Sequence, residues 1–219
     1  DSAKGTGITF NDSGAYSYSD TFVIQLDEIG VGTITFNGTT SFAGSAALSA
    51  STSRDIVVSS GAGVKTVDGY LTLRANRGLA ASQGDFSGIV VSGTVESTGK
   101  GDVTIDGRAG SKSTSGRTSG VKVDGGRISG GISGALTVNG SGGHGRGRLF
   151  CGVLVTGAGV VTSAGGNVDV TGVGGITLTR EAGNMGVIVD ASSQITAGGN
   201  GQVTVDGKGG PYGQRREGN

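Results

Sequence analysis

Carboxylate, amide and hydroxyl side chains recur at two positions of a pattern repeated along residues 71–206. A polysaccharide hydrolase would need clustered carboxylates in one groove, so that one donates a proton while another acts as base or nucleophile. Here the acids occur singly and alternate with hydroxyls, which favours side-chain ladders on a structural surface. We therefore predict no enzyme activity; a polysaccharide-cleaving enzyme that depends on Asp169 ranks third among the hypotheses. The first position holds Thr72, Thr104, Thr137, Asp169 and Thr204, and the second holds Asp106, Asn139, Thr171 and Asp206.

The chain has 1 histidine and 1 cysteine. His144 lies in GSGGHGRGR without an orienting partner in sequence, which predicts a surface side chain rather than a general base. Cys151 precedes Gly152 at the predicted start of a strand, where a structural thiol is favoured over a nucleophile. The acidic nonapeptide of calcium-binding repeats is absent, and the glycine-rich segments lack the Lys-Ser/Thr pair of phosphate loops. The sequence therefore predicts no metal and no cofactor.

Basic side chains gather in the excursions that separate one repeat from the next. Because the repeats are in register, the excursions are expected to leave the fold on one side and form a basic ridge for anionic glycans. The alternative is that these charges only keep flexible loops soluble. The net charge of the chain is 0, so no overall field attracts nucleic acid and we predict no such partner. The candidate polyanion-binding residues are Arg108, Lys112, Arg117, Arg146, Arg148, Arg215 and Arg216.

Four copies of one sequence pattern must position these residues. The copies begin at Gly88, Gly120, Gly152 and Gly186, and a period of about 33 residues is typical of repeat architectures. Each copy has three short runs in which aliphatic and polar residues alternate, as half-buried strands do. Helix is disfavoured because glycine costs about 1 kcal/mol per helical site. A composition with 48 Gly and 1 Pro fits neither collagen nor an ordinary globular core.

Three strands per copy, with equivalent strands stacked on one another, predict an all-β fold of the parallel β-helix (β-solenoid) type. The pattern extends back to Asp55, which gives about five clear rungs over residues 55–219. Residues 1–54 hold most of the aromatic side chains and are predicted to form an irregular N-terminal cap or a docking segment. A solenoid needs such a segment because its end otherwise exposes both core and strand edge.

Two apolar segments near the ends of the array predict self-assembly. Phe22, Ile24 and Leu26 form an alternating apolar face within the predicted cap. After Val203 and Val205 the sequence continues as GKGGPYGQRREGN, where another repeat is expected, so we expect a second copy to complete the last rung. The alternative is that the chain is a fragment of a longer solenoid. The acidic N-terminal region and the basic C-terminal region also suit head-to-tail contacts.

The runs RDIVVSSGA, GYLTLRANRG and GIVVSGTVESTGKGDVTIDG resemble the passenger repeats of secreted bacterial proteins of the filamentous haemagglutinin type, and similar repeats in giant bacterial surface adhesins. The resemblance covers residues 46–210. It implies a right-handed β-helix, secretion to the cell surface, and adhesion or self-association, in some cases through sulfated glycans. Such proteins have many more rungs, so a rod of this length would have to polymerise or be a fragment.

These observations predict a structural subunit of a bacterial extracellular filament or surface adhesin, with copies of itself as its main partner. The alternative is a glycan-binding passenger segment that uses the basic excursions. No apolar run approaches the roughly 18 residues that cross a bilayer, so no membrane span is predicted.

Overall fold

A computed structural model describes residues 7–11, 16–26, 32–114, 117–178 and 183–211. Within these ranges the secondary structure consists of 24 strands and no helix, which confirms the predicted all-β class. Accordingly, no helix in the described ranges is able to cross a membrane.

Three parallel sheets of seven strands each form the body of the fold, and we number the strands in chain order. The first sheet contains β1 (Gly7–Phe10), β4 (Thr33–Phe36), β7 (Asp55–Val58), β10 (Ile89–Val91), β14 (Arg117–Asp124), β18 (Leu149–Thr156) and β22 (Val187–Val189). The second contains β2 (Tyr16–Tyr18), β5 (Thr39–Phe42), β8 (Gly63–Thr66), β11 (Thr94–Ser97), β15 (Arg127–Gly130), β19 (Val160–Ser163) and β23 (Gln194–Ile195). The third contains β3 (Phe22–Leu26), β6 (Leu48–Thr52), β9 (Leu71–Ala75), β12 (Val103–Arg108), β16 (Leu136–Ser141), β20 (Val168–Val173) and β24 (Val203–Lys208).

The chain visits the three sheets in turn, so each circuit makes one rung and the described residues form seven rungs. Equivalent positions of neighbouring rungs pair in register, as the repeat predicts. Val91 pairs with Val123, Val123 with Val155, and Val155 with Val189. The alternation along each strand therefore becomes continuous columns, with one set of side chains in the interior and the other outside. This confirms the parallel β-helix with three strands per rung.

The interior columns are aliphatic and closely packed. Ile56, Ile89, Val121 and Val153 follow one another in the first sheet, and all four are fully buried. Burying a Val or Ile side chain contributes about 1.5–3 kcal/mol, whereas ordering each residue costs about 1–2 kcal/mol. A single rung therefore cannot be stable by itself, and the fold depends on stacking.

The segment predicted as an N-terminal cap is built as two further rungs. Strands β1 to β6 extend all three sheets in register, and the boundary predicted at residue 54 falls between β6 and β7 of one coil. Their core combines aromatic side chains with aliphatic ones such as Ile34 and Leu48. The ring of Phe10 stacks on that of Phe36 at 4.9 Å, and the ring of Tyr18 stacks on that of Phe42 at 5.4 Å. These residues therefore continue the solenoid with larger side chains.

Each predicted repeat begins with glycine because two backbones meet there. The third strand of each rung ends beside the start of the first strand of the following rung. The excursion leaves the fold between these two strand ends. A Cβ on Gly120 would overlap the amide nitrogen of Ser141, and one on Gly152 would overlap that of Val173. Only glycine permits this approach.

The excursions themselves form a fourth, three-stranded parallel sheet, which we call the excursion sheet. It contains β13 (Ser111–Ser113), β17 (His144–Gly145) and β21 (Ile176–Thr177), and a β-bridge from Gln83 to Ser111 adds the preceding excursion. Phe150 and Cys151 are fully buried near the start of β18, where an excursion rejoins the first sheet. The excursions are therefore ordered rungs of their own, which the sequence pattern did not predict.

Candidate assembly ends and basic face

The last described rung exposes the interior columns of the fold. Within the described chain, β22, β23 and β24 pair only with the sixth rung. Val203 is 42% exposed and Val205 is 49% exposed. Their register partners one rung earlier, Val168 and Val170, are buried. Val203 and Val205, both predicted as assembly residues, thus form part of an uncovered core surface.

The first rung presents the other ends of the same columns. In the third sheet, register pairing connects Phe22 through six rungs to Val203, and Ile24 in the same way to Val205. Phe22 is 39% exposed, Leu26 is half-buried and Ile24 is only 6% exposed. The structure therefore places the five predicted assembly residues in the first and last described rungs. Phe22 and Ile24 share columns with Val203 and Val205, whereas the column of Leu26 ends at Gly207.

Asp190 joins the last rung to the sixth. Its carboxylate accepts hydrogen bonds from Thr156 Oγ1 at 2.6 Å, from Ser193 Oγ at 2.7 Å and from the Gly157 amide at 3.1 Å. The hydrogen bond from Thr156 and then those from Ser193 and Gly157 hold the pKa of this carboxyl well below its ordinary value. No sequence motif marked this residue; the Asp-Ala-Ser-Ser turn signal was the available hint.

The basic face consists of Lys112, Arg117 and Arg146, which lie on two successive excursions. Lys112 is in β13, and the Arg146 amide donates to the Ser113 carbonyl at 2.9 Å, so these two cations lie on adjacent rungs. Arg117 begins β14 beside the same excursion. Among the described residues, none of the three makes a salt bridge. The nearest described acid that the hydrogen bonds place on this excursion is Asp85, which accepts from Thr114, so the face has more described cations than acids.

The remaining predicted basic residues lie elsewhere. Arg148 is exposed and follows the same excursion as Arg146. Arg108 ends β12 and donates through Nη2 to the Gly78 carbonyl at 2.8 Å, so it belongs to a separate cluster with Arg77. Arg215 and Arg216 lie outside the described residues. The predicted single ridge is thus divided into two groups of charges.

That separate cluster surrounds Asp106, which the sequence placed in a hydroxyl ladder. Arg77 Nε lies 3.0 Å from one Asp106 oxygen and Arg74 Nε lies 3.6 Å from the other. Arg74 and Asp106 occupy neighbouring positions of one outer column. Because they are one repeat period apart, this pairing could have been found by aligning charges as well as apolar residues.

The single reactive side chains show no catalytic geometry. Burial raises the pKa of the Cys151 thiol to about 11, so it is protonated at neutral pH. His144 is exposed at the start of β17. Asp169 pairs in register with Thr137 and Thr204, so no second carboxylate lies beside it in its column. Across the described ranges, no group of three His, Cys, Asp or Glu side chains could hold a metal ion.

Comparison with known proteins places no relative beside this fold. No family model matches the chain, and neither a curated protein nor a solved structure matches it. The resemblance to haemagglutinin-type repeats therefore remains a prediction.

Proposed function

We propose that this protein is a structural unit of a bacterial extracellular filament or surface adhesin, assembled by head-to-tail stacking of β-helices. The observation that carries the proposal is the uncovered last rung, whose Val203 and Val205 are about half exposed although their columns are buried everywhere inward. Within the described ranges, its strands β22, β23 and β24 pair on one side only, so the backbone groups on the other side are available to a further strand. A second copy supplies both an apolar cover and parallel strands with the same spacing.

The first rung of that second copy is the matching surface. Continuing the register of the third sheet places Val203 of one copy against Phe22 of the next, and Val205 against Ile24. The same continuation pairs β22 with β1 and β23 with β2, because each sheet has one edge strand at each end. The contact is heterologous and does not close on itself, so it generates a filament.

Electron microscopy and sedimentation of the purified chain test this assembly. The expected result is rods whose length grows with protein concentration. The variant Val203→Asp should stay monomeric, because a carboxylate would be buried unpaired in the contact. The matched control is Val173→Asp, since Val173 has the same 42% exposure but occupies an outward position of β20 in the sixth rung rather than the uncovered core of the last one. Monomers in the unsubstituted protein, or equal loss of rods in both variants, would contradict the proposal.

A second function, binding of anionic glycans, is favoured by the basic face. The excursions that hold these cations stack at the rung spacing of about 4.8 Å, so cations of two neighbouring excursions can contact one polyanionic chain. Lys112, Arg117 and Arg146 make no salt bridge with a described acid.

Elution from a heparin column tests this second function. The double variant Arg117→Gln/Arg146→Gln should elute at lower salt, whereas Arg127→Gln on the second sheet should elute as the unsubstituted protein does. Retention that is unchanged in the double variant would remove the basic face from consideration.

A further inference from the structure

A groove of about 280 Å³ lies on the outer face of the third sheet, over the first three rungs. Gln25, Ser51 and Arg74 follow one another in one outer column and line it, and Arg77 and Ser53 lie beside them. The basic face belongs to later rungs and to the excursion sheet, so this groove is a separate place. It has the size of the smaller ligand pockets in proteins, which start at about 300 Å³.

The charges at this groove are unbalanced. Three guanidinium groups, those of Arg74, Arg77 and Arg108, share one described carboxylate, that of Asp106. Burial and then the nearby charge of Arg77 lower the pKa of Arg108, which means that the two cations repel each other. One further anion in the groove would reduce this repulsion.

Several hydrogen-bonding positions in the cluster are also unused. Arg77 Nη1 donates to Ser141 Oγ at 3.1 Å, but its Nε faces Asp106 Oδ1 outside hydrogen-bond geometry, so that oxygen is buried without a hydrogen bond. Arg108 Nε is buried without a hydrogen-bond partner. Arg74 is 54% exposed and contacts Asp106 only through Nε at 3.6 Å. Among the described residues, the terminal nitrogens of Arg74 have no hydrogen-bond partner, so they are available to an acceptor outside the protein.

We propose that this groove binds one carboxylate-bearing sugar residue, a hexuronate. The planar fork of Arg74 matches a planar carboxylate in bidentate geometry, with Arg77 adding charge beside it. The amide of Gln25 and the hydroxyl of Ser51 can exchange hydrogen bonds with sugar hydroxyls, which distinguishes this groove from a simple ion site. The proposal does not require head-to-tail assembly, because Arg74 lies two rungs inward from the proposed contact, although Gln25 lies on the edge strand β3 and its column ends at Asp206 in β24.

Calorimetric titration with trigalacturonic acid tests the site. The unsubstituted chain should bind it saturably, and the neutral methyl ester should not bind. Arg74→Gln should weaken binding by roughly tenfold or more, the size expected when a charge-assisted pair of hydrogen bonds is lost. Arg74→Lys should fall between the two, because lysine keeps the charge but loses the fork. Arg127→Gln, an exposed arginine on the second sheet, is the matched control and should change affinity less than twofold.

Sodium sulfate and a second variant separate a sugar site from an ion site. Sulfate should bind at least about tenfold more weakly than the uronate, and Gln25→Leu should weaken uronate binding without affecting sulfate. Circular dichroism and thermal unfolding of each variant should match the unsubstituted protein, since the substituted side chains are exposed. Absence of saturable binding, equal loss in Arg127→Gln, binding of the ester, or sulfate binding as tight as the uronate would each overturn the proposal.

Discussion

The first and last rungs end the same columns but cover them differently. In the first rung, the rings of Phe10 and Tyr18 pack against the core cluster that contains Ile24, and Ile24 is only 6% exposed although β3 is an edge strand. In the last rung, Val205 ends the same column and is 49% exposed. Edge position alone therefore does not expose a core. Large aromatic side chains cover the N-terminal end, whereas small valines leave the C-terminal end open.

This difference gives the molecule a direction. The end with aromatic residues still offers Phe22, which is 39% exposed, as an apolar contact. The opposite end has nothing comparable among the described residues and is held to the sixth rung by strand pairing and by Asp190. The first rung can therefore cover the core of another copy, whereas the last rung has an exposed core that needs a cover. This difference is why the proposed contact is head-to-tail.

The largest change in the free energy of unfolding should come from placing an aspartate in one interior column, first in the sixth rung and then in the last. Val170→Asp should lower the free energy of unfolding by about 4 kcal/mol or more, because the carboxylate would be buried without a partner. Val205→Asp, one rung later, should change it by no more than about 0.5 kcal/mol at concentrations where the protein is dissociated. Urea unfolding followed by circular dichroism measures both, and equal losses would show that the last rung is already closed.

A smaller effect should follow from trimming the two ends. Phe42→Ala should cost about 3 kcal/mol, since Phe42 is buried and contacts both Tyr18 and Phe22. Ile195→Ala on the last rung should cost only about 1 kcal/mol, because its side chain is half-buried. Thermal unfolding of the two variants compares these costs. A larger loss at Ile195 would reverse the asymmetry between the ends.

The smallest effect concerns pH at the last rung. Since its partners depress the pKa of Asp190, its contribution to stability is present above the ordinary aspartate pKa of about 3.9 and is lost as pH falls through the lower folded value. The Gly157 and Ser192 amides donate to this carboxylate, so their NMR signals should shift only at pH below about 3.9. Asp190→Asn should abolish this shift. If the Asp190 carboxyl titrated at its ordinary pKa, its hydrogen bonds to Thr156 and Gly157 in the sixth rung would not form.

The interior of the fold could be predicted because buried columns repeat one residue type at one period. Val91, Val123, Val155 and Val189 carry that signal, and their register is the predicted one. The two N-terminal rungs were harder to recognise because aromatic residues such as Phe36 and Phe42 replace the aliphatic pattern. A core accepts aromatic residues in place of aliphatic ones when the total side-chain volume is kept. The fold therefore continues into rungs where the aliphatic repeat is no longer visible in the sequence.

The excursion sheet and the arginine cluster could not be predicted from the same signal. Strand β17 is His-Gly and β21 is Ile-Thr, so backbone pairing holds the excursion sheet without a shared side-chain type. Asp106 pairs with Arg74 and Arg77 because opposite charges, rather than like residues, stack on neighbouring rungs. Aligning repeats detects residues of the same type on neighbouring rungs. It therefore misses pairs of opposite charge, such as Arg74 and Asp106.

The most direct measurement of head-to-tail assembly is an intermolecular disulfide between the two ends of one column. Within one copy, Phe22 and Val203 lie six rungs apart, roughly 29 Å at about 4.8 Å per rung, which is too far for a disulfide. In the proposed contact they become register neighbours, with a Cα separation that a disulfide can span. The native Cys151 is buried and will not compete.

The double variant Phe22→Cys/Val203→Cys should give a ladder of oligomers on a non-reducing gel after mild oxidation, and reducing agent should return it to monomer. Each single variant is the control and should give at most a disulfide-linked dimer. A double variant that yields only monomers, or only the dimers of the single variants, would contradict head-to-tail stacking.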